Sequence, residues 1–514
     1  MTQRMARTHC VELLGLEGRV VEVEAAVGGG LPRVVMVGLP DTSLYESRDR
    51  CKAVATGQQL GWPDRLVTIN LSPASLPKGG THYDLAVMTS VLAADGRIPP
   101  GRIEPLVMLG EVGLDGRIRA VRGLLPAVMG AVQAGYRQVV VPKAQVREAR
   151  LAPGCDAVGV ESVAELVGFL RGELVPDDRC EEPPERDVDM LGEPDFAEVL
   201  GQMDARWAVE VAAAGGHHVF LTGPPGVGKS MLASRIPTIL PPLSVDEALE
   251  VAAVRSLARV GDAQWSMTPP WSNPHHSASM QSLLGGGARV PVPGAISLAH
   301  RGVLFLDEAP EFQRNALEAL REPLESGEIL VSRSVHQARY PARFQLVLAA
   351  NPCPCGFAGS PGSTCRCGPA QIRRYREKLS GPILDRIDIR QELLPLGPTL
   401  MSMLSLESTA ESSALVGARV REARERQARR LAGTGWRTNA EVPGSYIRTE
   451  WPRPEGMRSL DTYVRRSQLS ARGIDRVVRV AWTIADLAGR DRPGRADVLE
   501  AVALRLGARE RESA

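Results

Sequence analysis

The run Gly223-Pro-Pro-Gly-Val-Gly-Lys229-Ser230 decides how the middle of this chain folds. It follows the apolar stretch HHVFLTG (217–223) and leads into SMLASRIPTIL (230–240), so it is a glycine-rich turn between a buried strand and a helix. The spacing has a physical basis. Glycines let successive backbone N–H groups point inward at phosphates, the helix start adds partial positive charge, Lys229 reaches the β- and γ-phosphates, and the Ser230 hydroxyl can ligate Mg²⁺. Gly223, Pro224, Pro225, Gly226, Val227, Gly228, Lys229 and Ser230 are therefore predicted to cradle ATP and its magnesium. Further on, Val303-Leu-Phe-Leu-Asp307-Glu308 ends a second apolar strand on two carboxylates, Asp307 for the Mg²⁺ shell and Glu308 to polarise an attacking water. A third run, FQLVLAAN (344–351), ends on Asn351, which is placed to orient that water. Apolar runs separated by helical text predict parallel strands buried on both faces, an α/β module.

Outward from this module, 514 residues are enough for about three domains. Apolar residues at 44 % and charged residues at 24 % exclude wholesale disorder and a polytopic membrane protein. The balance of 61 basic and 60 acidic residues excludes a uniformly basic surface, so any nucleic-acid site must be a local patch. The N-terminus lacks the apolar core of a signal peptide and no stretch reaches membrane-spanning length, which predicts a cytoplasmic protein.

Residues 1–172 read as short strands alternating with helices, with VVEVEAAV (20–27) and RVVMVGL (33–39) as a predicted hairpin across Gly28-Gly29-Gly30 and RLVTINL (65–71) as a further strand. Residues 173–194 have the Asp, Glu and Pro content of a linker. The α/β core then spans 195–396. From 397 to 514, segments such as 414–433 and 470–490 carry helical periodicity and form a helical domain.

The text GPPGVGKSMLASRIPTILPPL (223–243), PHHSASMQSLLGGGARVPVPGAISLAHRGVLFLDEAPEF (274–312), NPCPCGF (351–357), SGPILDRIDI (380–389) and LSARGIDRVVRVAWTIADL (469–487) resembles the AAA+ ATPases of the magnesium-chelatase-like group, and within it the ComM/YifB family. The resemblance runs nearly end to end. It implies a Lon-protease-like N-terminal domain, an AAA+ core and a C-terminal helical lid. It also implies that Asn351 is sensor 1, Arg386 an arginine finger acting on a neighbour's ATP, and Arg472 the sensor-2 arginine, with Arg476 as its rival. Where family members read Pro-Gly-Glu, this chain has Pro293-Gly294-Ala295. VTINLSPASLPKGGTHYDLAV (67–87) resembles the proteolytic domain of Lon, which needs a Ser activated by a Lys. Here Thr81 and His82 follow Lys78-Gly79-Gly80 and the later lysine is missing, so a fold without peptidase chemistry is predicted. The family implies a hexameric ring that drives helicase action and branch migration on single-stranded or branched DNA. A chelatase motor that drives Mg²⁺ into a porphyrin and a remodeller of a protein partner are the alternatives.

Cys353-Pro-Cys355 and Cys365-Arg-Cys367 place four thiols in a Gly- and Pro-rich loop, a set that can close a tetrahedral structural Zn²⁺ site or remain free or redox-active. The segment 327–344 reads as a hairpin in which Arg333, His336 and Arg339 suit a phosphate backbone. A second loop, 275–287, carries His275 and His276. The arginine-rich stretch 416–430, interleaved with Glu422 and Glu425, is predicted to be a solvent-exposed helix.

Overall fold

The computed structural model describes residues 4–177, 194–259, 265–287, 291–332, 337–359, 364–395 and 410–507. The N-terminal part is built on a seven-stranded mixed sheet of β1 (Arg4–Leu14), β2 (Glu17–Gly28), β3 (Arg33–Val37), β4 (Leu66–Ser72), β5 (Val107–Met108), β6 (Gln138–Pro142) and β7 (Asp156–Val160), in the order β3-β4-β2-β1-β5-β6-β7. It is packed by α1 (Thr42–Gly57), α2 (Asp84–Ala94) and α3 (Leu124–Gln133). All eleven residues of α2 are buried, which is why its text carries no amphipathic stripe.

The hairpin expected across Gly28–Gly30 does not form. Both edges of β2 are already taken, by β1 through a tight antiparallel turn and by β4, so β3 pairs in parallel with the far edge of β4. The glycine run is a crossover. β1 escapes the apolar pattern because its Thr8 and His9 are buried polar residues, and Thr8 Oγ1 donates to Ile103 O at 3.1 Å.

The central part is a five-stranded, all-parallel sheet of β8 (Val219–Thr222), β9 (Trp271–Ser272), β10 (Val303–Leu306), β13 (Gln345–Ala350) and β14 (Ile389–Glu392), in the order β9-β10-β13-β8-β14. β11 (Glu328–Ser332) and β12 (Gln337–Pro341) form the expected hairpin beside it. α4 (Met203–Gly215), α5 (Lys229–Ser234), α6 (Val245–Ala258) and α7 (Pro369–Arg376) complete the α/β module. α8 (Ser413–Arg430), α9 (Ala471–Leu487) and α10 (Arg495–Leu506) make the helical C-terminal domain, and their apolar faces share one core with α4 and the sheet. Most of the expected linker, and the boundary near 396, lie outside the described residues.

α8 is solvent-exposed along one face, as expected: only Val416, Val420, Ala423 and Gln427 are buried, and Arg426 pairs with Glu422 at 4.0 Å, while other arginines reach across the fold. Arg419 binds Glu210 and Glu411, Arg424 donates to Ala213 O at 2.7 Å, and Arg430 binds Asp486 at 2.6 Å while lying over the rings of Trp451 and Trp482. Guanidinium groups satisfy carbonyls and carboxylates of neighbouring elements, so the basic run is a packing device.

The N-terminal part is docked through α6. Ser244 and Glu247 form a reciprocal capping box that fixes its start. Its Leu249, Ala252 and Ala253 belong to the N-terminal core, and Ser256 Oγ donates to the buried Glu148 at 2.5 Å. The turn between β1 and β2 meets the hairpin: a methyl on Gly15 would lie 2.7 Å from the backbone oxygen of Arg339.

Lys78 is buried, and its ammonium donates to the carbonyls of Gly38 and Pro73, so it is occupied in structure. Thr81 Oγ1 donates to Glu111 at 2.5 Å, and His82 Nε2 sits 2.9 Å from Val11 O with burial bringing its ring down to about 4. Beneath them, buried Glu12 accepts from Tyr83 Oη at 2.8 Å and from Gly79 N at 3.2 Å. Burial raises its carboxyl to about 7. Because the folded value lies above the unfolded one, the stability carried by protonated Glu12 is complete below about 4.5 and is lost as pH rises through about 7. Glu12→Gln keeps the acceptor and removes the titration. The thermal midpoint of the variant should match wild type near pH 4.5 and exceed it at pH 8, by on the order of 2 kcal/mol in stability. Parallel midpoint-against-pH curves for the two proteins would refute this.

Candidate nucleotide site

Every strand of the central sheet runs the same way, so the residues that follow β8, β10 and β13 meet at its carboxyl edge. These are the glycine-rich loop, Asp307 with Glu308, and Asn351. Gly226 and Gly228 adopt φ of +80° and +91°, left-handed values that side chains resist, which is why the turn needs glycine there. Lys229 Nζ is buried in the loop and donates to Gly223 O at 2.7 Å, Pro224 O at 2.9 Å and Asn351 Oδ1 at 3.0 Å. Burial lowers its pKa while Asp307 and Glu308 oppose the shift. Ser230 Oγ donates to Asp307 Oδ2 at 2.6 Å, bringing both predicted Mg²⁺ ligands together. These oxygen donors fit a hard cation of the magnesium type.

Glu308 sits at φ +50°, and one of its contacts escaped sequence reasoning: His276 Nδ1 lies 3.2 Å from Glu308 Oε2. The His276 and His275 rings lie 4.1 Å apart with their planes tilted by 33°, and His275 Nδ1 lies 2.7 Å from Ser277 Oγ. The available signal was the paired histidines directly after edge strand β9. The loop 275–287 therefore reaches the predicted water-activating carboxylate, and it does so without forming a metal cluster among the described residues. Ala295 begins a short helix, and its carbonyl accepts from Ser272 Oγ at 3.1 Å, so this position acts here through its backbone.

Arg386 lies on the other side. It precedes β14, so it belongs to the amino edge of the sheet, and the four residues of β8 alone put about 13 Å between the two edges. Its guanidinium pairs with Glu325 and donates to Pro382 O at 2.7 Å, and it lines a cleft of about 720 Å³ between the core and the helical domain. Arg476 and Arg479 of α9 line the same cleft. Arg476 is committed to Asp388 at 2.5 Å. Asp388 is fully buried; burial pushes its carboxyl up, but Arg476 and His217 win and hold it well below the usual range. Arg472 stands one turn earlier on α9 and is exposed. The helix that carries both sensor-2 candidates is thus on the Arg386 side, away from Lys229.

The four cysteines converge. Their Sγ atoms lie within 4.8 Å of one another, with Cys353 to Cys355, Cys353 to Cys365 and Cys355 to Cys365 at 3.3, 3.7 and 3.6 Å. A tetrahedral Zn²⁺ with Zn–S of about 2.3 Å demands S···S edges of about 3.8 Å, whereas a disulfide would need about 2.05 Å. The donor set fits zinc. On the hairpin, Arg339 is an exposed strand residue facing Glu328 at 3.7 Å and not a tip residue; Arg333 and His336 lie outside the described residues.

Comparison with known proteins agrees with this architecture. The family model described as "Magnesium chelatase, subunit ChlI" matches residues 195–399, "Subunit ChlI of Mg-chelatase" matches 23–145, and "Magnesium chelatase, subunit ChlI C-terminal" matches 410–505. An uncharacterised protein of Mycobacterium tuberculosis is 49 % identical over 98 % of this chain and 99 % of its own length. YifB of Salmonella typhimurium is 40 % identical over 98 % and 97 %, and competence protein ComM of Haemophilus influenzae 37 % identical over 96 % of each.

Two substitutions separate binding from chemistry at the carboxyl edge. Lys229→Ala should lose both nucleotide binding and turnover. Glu308→Gln should keep binding and lose about 10²- to 10⁴-fold in turnover. Fluorescent-nucleotide titration and phosphate release measure the two, and near-wild-type turnover by Glu308→Gln would remove it from the water-activating role.

Proposed function

The chain belongs to the ComM/YifB family of magnesium-chelatase-like AAA+ ATPases, and from that premise we propose that it is an ATP-hydrolysing, ring-forming motor that moves DNA, with helicase action and branch migration as its output. The observation that carries the ring is the split of the site. Lys229, Ser230, Asp307, Glu308 and Asn351 stand at one edge of the sheet and Arg386 at the other, so one subunit cannot complete its own site. A neighbour's Arg386 supplies the charge that stabilises the transferring phosphoryl group, with Arg472 as sensor 2 from the same face.

When bound, Mg²⁺ neutralises charge on the β- and γ-phosphates. Lys229 and the loop amides hold those phosphates, Ser230 and Asp307 present their oxygens to the cation, Asn351 orients the attacking water and Glu308 takes its proton. Cys353, Cys355, Cys365 and Cys367 would hold a Zn²⁺ whose role would be structural. The N-terminal domain, residues 1–172, serves as a Lon-like scaffold without peptidase chemistry, because Lys78, Thr81 and His82 are all engaged in structural hydrogen bonds. A hexamer fits the family, and the cytoplasm supplies both ATP and reduced thiols. DNA as the substrate is supported by the near full-length similarity to competence protein ComM and by exposed Arg339 on the hairpin.

ATP turnover should rise with single-stranded DNA or a four-way junction, and the stimulation should fall as salt rises. Turnover in assembled rings that ignores every DNA would replace this reading with a protein or porphyrin substrate. Lys229→Ala and Arg386→Ala should each be inactive alone. Mixed and reassembled, they should regain up to about a quarter of wild-type turnover, because random neighbours pair an intact loop with an intact arginine at that frequency. No recovery on mixing would place Arg386 outside the neighbour's site.

A further inference from the structure

The thiol knuckle and the phosphate loop touch. Gly356, inside the knuckle, adopts φ +87° and lies so close to Pro225 of the loop that a methyl group there would sit 2.6 Å from Pro225 Cδ and Cγ. The same knuckle begins one residue after Asn351-Pro352, and Asn351 Oδ1 accepts from Lys229 Nζ at 3.0 Å. The knuckle's first turn is internally fixed, since Gly356 N donates to Cys353 O at 2.9 Å and Ala358 N donates to Cys353 Sγ at 3.3 Å. Two separate connections therefore run from the thiols to the groups that hold phosphate, one along the chain and one through packing.

We propose that the Cys353, Cys355, Cys365 and Cys367 site is a metal-dependent regulator of the nucleotide site, in which bound Zn²⁺ holds Pro225 and Asn351 in the ATP-binding arrangement. This rests on the reading of the thiols as a zinc site and of the loop as an ATP site. When the cation leaves, the thiols take back their protons and nothing holds the four sulfurs together, so the empty knuckle opens and releases the surfaces that Gly356 and Asn351 present. Closing it around Zn²⁺ restores them. The coupling is reciprocal: whatever factor Zn²⁺ adds to nucleotide affinity, nucleotide adds to Zn²⁺ affinity.

The test uses the full-length protein in excess Mg²⁺ with mant-ADP as the probe, zinc content read by mass spectrometry, and a zinc-selective chelator to strip the metal. Zinc equimolar with the chain is expected. Stripping should weaken mant-ADP binding about tenfold, zinc should restore it, and saturating ADP should slow chelator extraction. Absence of zinc, with none taken up on titration, would overturn the metal reading itself. Equal mant-ADP affinity with and without bound zinc, in protein whose circular dichroism is unchanged, would overturn the coupling while leaving the zinc site standing. Gly356→Ala keeps all four thiols and guards against unfolding of the stripped protein: it should weaken mant-ADP binding, and wild-type affinity in that variant would overturn the proposal.

Discussion

The common direction of five short strands governs the rest of this molecule. A parallel sheet gathers its functional loops at the carboxyl edge, and here three neighbouring strands deliver the phosphate loop, the Asp307–Glu308 pair and Asn351 to one place. The Lys229 ammonium then ties two of these strand ends together by donating to its own loop and to Asn351. The same direction forces Arg386 and Asp388, which precede β14, to the opposite edge. One geometric fact thus gathers Lys229, Asp307, Glu308 and Asn351 and sets Arg386 apart from them.

The helix α6 transmits order between the parts. One face carries Leu249, Ala252 and Ala253 into the N-terminal core, while Glu247 and Glu250 meet Arg437, Arg301 and His300 on the other side. His300 and Arg301 together hold the Glu250 carboxyl down to about 2. Apolar burial at one face and ion pairs at the other make this helix the element through which the N-terminal sheet meets the central module and the helical domain. Gly15 against the backbone of Arg339 adds a second point of contact.

How much of this was legible depends on how local each signal is. The phosphate loop, Asp307, Glu308 and Asn351 could be read because each lies directly after an apolar run, and strand ends are encoded in neighbouring residues. The thiol cluster could be read from its spacing. Pairing between distant segments could not: nothing near Gly28–Gly30 says that β1 and β4 will occupy both edges of β2. His276 on Glu308 and Arg476 on Asp388 join residues whose separation in the chain carries no periodicity. The distant partners of Arg419, Arg424 and Arg430 on α8 escape for a related reason, since charge in a sequence looks solvated until the carbonyls and carboxylates that receive it are placed beside it.

A net charge of +1 hides a strong separation of roles. At the carboxyl edge, Lys229 stands against Asp307 and Glu308, a set that lacks positive charge for a triphosphate. At the amino edge, Arg386, Arg476 and Arg479 line one cleft in which Glu325 and Asp388 answer part of the charge. Removing one partner of a buried pair such as Arg476 and Asp388 costs about 3–5 kcal/mol, so Arg476 is held in place by the fold. Arg386 is also buried, but its carboxylate partner Glu325 is exposed and its other bond is to the Pro382 carbonyl. The carboxyl edge thus sets one lysine against two carboxylates, while the Arg386 guanidinium is engaged by Glu325 and Pro382 of its own chain. In the proposed ring, the amino edge of one subunit would bring its guanidinium to the carboxyl edge of the next, which ties turnover to assembly.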